Sequence, residues 1–82
     1  MGSLQAKIKI LYLERGYTND PVTLALGLCE EAGEVAKAVN YFHNPKYQSA
    51  TANIPDSVQH ELRDCLVYIC AIANSLNIEL DI

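Results

Sequence analysis

The chain has 82 residues, half of them apolar, and a net charge of −4. A chain this short forms one domain with a marginal core, so this much apolar surface calls for self-association. A free acidic surface would argue against nucleic-acid binding. Acid concentrated at one point argues instead for a cation with a phosphate ligand on top of it, so the bulk charge says little about the substrate. No stretch is long and apolar enough to span a membrane.

The first helix is expected over Ser3–Arg15, with Leu4, Ile8, Leu11 and Tyr12 on one side and Gly16 ending it. Asp20 then supplies a cap and Pro21 a first helical position, so the second helix starts there and runs to Phe42 or His43. Gly27 and Gly33 weaken this helix locally and permit close approach of a neighbour. Residues 44–54 turn to Asn, Pro, Ser, Thr and Gln, the composition of a loop. Pro55 with Asp56 or Ser57 opens the third helix, which reaches to about Asn77. Residues 65–73 of it are apolar all the way round, as in a helix buried on every side. Three short helices cannot bury it alone. The expected fold class is therefore all-α, a three-helix protomer completing a helical bundle by oligomerisation, with residues 1–82 as one domain.

Cys29, Cys65 and Cys70 are an odd number without C-x-x-C spacing, which is no disulfide framework. All three fall in expected helices, where Cys packs as a small hydrophobe. The start lacks a charged segment followed by a long apolar run, so the cytoplasm is the expected location.

Five of the ten acidic residues belong to two clusters, Glu30-Glu31-x-x-Glu34 and Glu61-x-x-Asp64. The spacing i, i+3 sets Glu31 with Glu34, and Glu61 with Asp64, on one side of a helix. At about 100° per residue, Glu31 falls in the middle of a stripe of Leu24, Leu28, Val35, Ala38 and Phe42. Glu34 lies along its edge, and Glu30 points further round toward Lys37. On the later helix Glu61 and Asp64 share a side with Tyr68, Ile72 and Ser75, bordering an apolar face of Leu62, Cys65, Ile69 and Leu76. A glutamate facing a core needs compensation. If the helices pack together, four carboxylates converge and a cation is the natural partner.

Four oxygen ligands without His or Cys suit Mg²⁺, or Mn²⁺ in its place, rather than zinc. His60 adjoins Glu61 but points about 100° away, and His43 is near the loop, so both read as surface or helix-end residues. Mg²⁺ on carboxylates keeps positions open for substrate phosphates, which points to phosphoryl or nucleotidyl transfer. Glu30 is then a spare carboxylate able to orient or deprotonate water. A pair with Lys37 is an equally open role for it.

The run Leu28-Cys29-Glu30-Glu31-Ala32-Gly33-Glu34-Val35-Ala36-Lys37-Ala38, followed by Glu61-Leu62-Arg63-Asp64-Cys65-Leu66, resembles the MazG-like all-α nucleoside triphosphate pyrophosphohydrolases. Their signature is E-E-x-x-E, a variable insert and E-x-x-D. The resemblance implies Mg²⁺-dependent hydrolysis of a nucleoside triphosphate between the α- and β-phosphates, as nucleotide-pool house-cleaning, by a homodimer or homotetramer. Carried over by position, the metal ligands are Glu31, Glu34, Glu61 and Asp64, with Glu30 supporting or activating water. Tyr68 sits where some relatives contact the nucleotide with an aromatic residue, and core packing is its other open role. Lys37, Lys46 and Arg63 are candidates for phosphate contact, with Lys37 nearest the motif. Many relatives continue into a further helix with basic and amide residues, which this chain is expected to lack after Ile82. Two alternatives stand beside this reading: phosphoribosyl-ATP pyrophosphohydrolase, and a non-catalytic nucleotide-binding or regulatory helical oligomer.

Overall fold

The computed structural model describes residues 3–43 and 54–82, and all regular structure among them is helical. The elements are α1 (Ser3–Arg15), α2 (Pro21–His43) and α3 (Ile54–Ser75). Both α1 and α2 pack on α3, which is the central element. The loop expected over residues 44–54 lies outside the described residues except for Ile54, which opens α3.

Each helix boundary has a local chemical cause. Gly16 takes φ +64° after α1, a conformation that costs an L side chain steric strain. There the Tyr17 N–H donates back to the Tyr12 carbonyl at 3.0 Å, closing the helix end. Asp20 caps α2, its Oδ2 accepting from the Thr23 N–H at 3.0 Å and from the Thr23 hydroxyl at 2.6 Å. These hydrogen bonds hold the Asp20 carboxyl below its ordinary range, the Thr23 hydroxyl contributing most. At the end of α3, Asn77 adopts φ +57° and the Ile78 N–H reaches the Ala73 carbonyl at 2.8 Å.

The core is small and lies where all three helices meet. Ile8 from α1, Leu24 from α2, and Cys70 and Ala71 from α3 are buried together. Leu4, Tyr12, Val67, Tyr68 and Ile72 pack around them. Gln5 is fully buried beside this cluster. Its amide donates to Asn74 Oδ1 at 3.0 Å and to the Ile78 carbonyl at 2.7 Å, and accepts from the Leu80 N–H at 2.9 Å. The Gln5 main-chain N–H, one of the unpaired donors at the start of α1, bonds the Ile82 main-chain oxygen at 3.0 Å. One buried side chain thus fastens residues 78–82 along α1.

The two sides of α3 are covered unequally in the structure. The side of α3 with Glu61, Asp64, Tyr68 and Ile72 is partly buried, whereas Leu62, Leu66, Ile69 and Leu76 are exposed. The all-round apolar segment therefore buries only one side within a single chain, because α1 and α2 cover only that side. Cys70 is buried and Cys65 half-buried as small hydrophobes, but Cys29 is exposed.

Candidate metal centre

Glu31 and Glu34 are carried by α2, and Glu61 and Asp64 by α3. Leu24 meets Cys70 and Ala71 in the core, Gly27 lies under Tyr68, and Glu31 reaches Glu61 and Asp64. These successive contacts, rising in number on one helix and falling on the other, define an antiparallel pair. The carboxylates come together one turn beyond Tyr68, outside the core cluster.

The Glu31 carboxyl is half-buried, and its proton affinity is raised above the ordinary value. Burial is the largest cause, followed by the Asp64 charge and then by the neighbouring Glu61 and Glu30 carboxyl groups. The Cys65 thiol beside them is also pushed up, by burial first and then by Glu31, Asp64 and Glu61. Apart from burial, every influence on Glu31 is another carboxyl group. A cluster of carboxyl groups of this kind calls for a positive partner, and hard oxygen donors suit Mg²⁺ or Mn²⁺. On the chemistry of its donors, the cluster fits the expected cation.

The expected residues do not all converge equally. Glu31 on α2 faces Glu61 and Asp64 on α3 closely enough for their charges to raise its proton affinity, without joining the tighter group that Glu61 and Asp64 form with His60. Glu34 is exposed, one turn along α2 from Glu31. Glu30 and Lys37 are also exposed. Tyr68 packs against the core. Lys46 falls outside the described residues. His60, read from the sequence as facing away, stands with its Nε2 3.3 Å from Asp64 Oδ2. Donor atoms of His60, Glu61 and Asp64 lie within 4.8 Å of one another. The signal for His60 was its i, i+4 relation to Asp64, which outweighs the angle separating it from Glu61.

A cavity of about 220 Å³ opens at the end of the bundle beyond Tyr68, between the α1–α2 turn and the last turns of α3. Its lining includes Lys9, Tyr12, Tyr17, Asn19, Asn74 and Asn77. The Tyr12 and Tyr17 rings meet edge to face at 5.1 Å, and the Arg15 guanidinium donates to the Tyr17 hydroxyl at 3.3 Å. Ala71 also lines the cavity, and shares the side of α3 that carries Asp64 and Tyr68.

No described helix is long and apolar enough to cross a membrane. No solved structure matches the chain. It is 34% identical over 83 aligned positions to the uncharacterized protein YpjD of Bacillus subtilis (strain 168), covering 99% of this chain and 73% of that protein. Residues 19–82, which hold both carboxylate pairs and the helices that join them, match the MazG nucleotide pyrophosphohydrolase domain. The chain belongs to the MazG nucleotide pyrophosphohydrolase family.

Proposed function

We propose that this protein hydrolyses nucleoside triphosphates, ribo or deoxy, between the α- and β-phosphates, releasing the monophosphate and pyrophosphate and so keeping the nucleotide pool clean. The observation that carries this reading is the Glu31 carboxyl facing Glu61 and Asp64 between α2 and α3 in a family of nucleotide pyrophosphohydrolases. Glu31, Glu34, Glu61 and Asp64 would hold Mg²⁺ or Mn²⁺, with Glu34 turning in from its exposed position. The bound cation supplies charge neutralisation on the phosphates and a lowered pKa for water.

The chain's own residues do the remaining work. Glu30, exposed next to Glu31, takes the proton from the attacking water as its oxygen bonds to phosphorus. The anhydride bond between the α- and β-phosphates breaks, and pyrophosphate leaves. Lys37, three residues along α2 from Glu34, offers its ammonium to the phosphates. Tyr68 stands between the carboxylates and the cavity. The aromatic and amide lining of that cavity supports placing the nucleoside there, with Tyr68 along its path.

A second copy of the chain belongs to the same reading. Leu62, Leu66 and Ile69 on α3 and Leu76 just past its end are exposed at spacings of four, three and seven, the seam of a helix that packs against another helix. The radius of gyration is 14.9 Å, against about 12 Å for a compact chain of this length. A dimer or tetramer would cover that stripe and complete the bundle.

The test is metal-dependent pyrophosphate release from a panel of NTPs, dNTPs and modified nucleotides, with Glu34→Gln as control. Release that needs both the metal and Glu34 supports the reading. Metal or nucleotide binding without turnover would make the protein a non-catalytic relative, and preference for phosphoribosyl-ATP would name the other hydrolase.

A further inference from the structure

A Cβ placed on Gly27 would stand 2.5 Å from Cε1, 2.6 Å from Cζ and 2.8 Å from the hydroxyl oxygen of Tyr68. Carbon atoms in contact normally sit about 3.5–4.0 Å apart, so the tyrosine ring fills the space that any other residue would need. The ring is packed against the core cluster, which limits its freedom to swing aside. Gly33, the other glycine of α2, faces open space. Glycine within a helix costs about 1 kcal/mol relative to alanine. At position 27 that cost accompanies a close helix approach.

The location gives this contact a consequence. Gly27 precedes Glu31 by four residues, and Tyr68 follows Asp64 by four. One helical turn, about 5.4 Å, therefore separates the glycine–tyrosine contact from the carboxylates on both helices. We propose that Gly27 and Tyr68 form a spacer that sets the separation of α2 and α3, and with it the gap across which Glu31, Glu61 and Asp64 share one cation. This rests on the metal-centre reading above. Gly27 is a positioning residue, since it has no side chain to offer a ligand. Octahedral cations with metal–oxygen bonds of about 2.0–2.1 Å tolerate little change in such a gap.

The experiment is Mn²⁺ binding followed by electron paramagnetic resonance, without nucleotide, with folding monitored by circular dichroism. The chains compared are wild type, Gly33→Ala, Gly27→Ala, Tyr68→Leu and the double variant Gly27→Ala/Tyr68→Leu. Gly33→Ala should bind like wild type. Folded Gly27→Ala should bind about tenfold more weakly or worse, the size of loss expected when a supporting residue is disturbed. In the Tyr68→Leu background the same glycine change should cost nothing, because the ring it would strike is gone. Unchanged affinity in folded Gly27→Ala overturns the spacer and shows that the ring simply turns aside. If Gly27→Ala does not fold, a double variant that folds and binds like Tyr68→Leu supports the proposal, and weaker binding overturns it. Absent Mn²⁺ binding in wild type overturns the metal centre itself, and the spacer with it.

Discussion

A carboxyl on a partly buried residue that faces two further carboxyl groups holds its proton to higher pH than an isolated exposed glutamate. For Glu31 the folded chain raises the pKa above its ordinary value of 4.5. Its stabilising contribution is therefore fully present below that value and is lost as pH rises through the folded pKa. Asp20 has the opposite sign: its pKa lies below 3.8, and its contribution is lost only as pH falls under that value. The two windows do not overlap. In EDTA, thermal stability should decline from pH 4.5 upward on account of Glu31. Adding Mg²⁺ should reverse that decline near neutrality and have little effect in acid. Glu31→Gln should remove both responses, and differential scanning fluorimetry across pH would record them. The place of Glu31 was legible because one helical wheel shows an acid in an apolar stripe. The nearness of Glu61 and Asp64 was not, because it depends on the register of two helices.

At the scale of the helix, the packing rests on a few side chains. Leu24, only 2% exposed, joins α2 to the core. Leu24→Ala should cost about 2–5 kcal/mol in urea unfolding, and a loss below 1 kcal/mol would show that α2 is held elsewhere. Gln5→Leu would leave the Leu80 N–H and the Ile78 carbonyl without their partner, and about 1–3 kcal/mol should go with it. Faster hydrogen exchange at Leu80 would be its local sign. The ends of α1 and the start of α2 were legible, since Gly16, Asp20 and Pro21 act through local chemistry. Gln5 was not legible, because its partners lie 69 to 75 residues away. The leucine side of α3 is exposed within the single chain. Its Glu61 and Asp64 side turns inward because Tyr68 and Ile72 on that side pack against the core of Ile8 and Leu24.

For the whole molecule, the single chain is an elongated unit, 44 Å by 24 Å by 22 Å, with an apolar stripe along α3. The all-round apolar segment of α3 was legible in the sequence, while the side of it left exposed in the single chain required the structure. Leu66→Glu should lower the mass seen by light scattering toward that of one protomer, without loss of helicity. An unchanged mass would remove this stripe from the assembly. The cavity had no signature in the sequence, since its tyrosines and amides come from two helices, the turn between α1 and α2, and the segment after α3.

The most direct measurement is anomalous scattering from crystals grown with Mn²⁺ and an NTP analogue that cannot be cleaved between the α- and β-phosphates. The expected result is manganese between α2 and α3, bound by Glu31, Glu61 and Asp64 and in contact with phosphate oxygens. Manganese absent from that gap while the nucleotide is bound, or held only by His60 and Asp64 away from the phosphates, would contradict it.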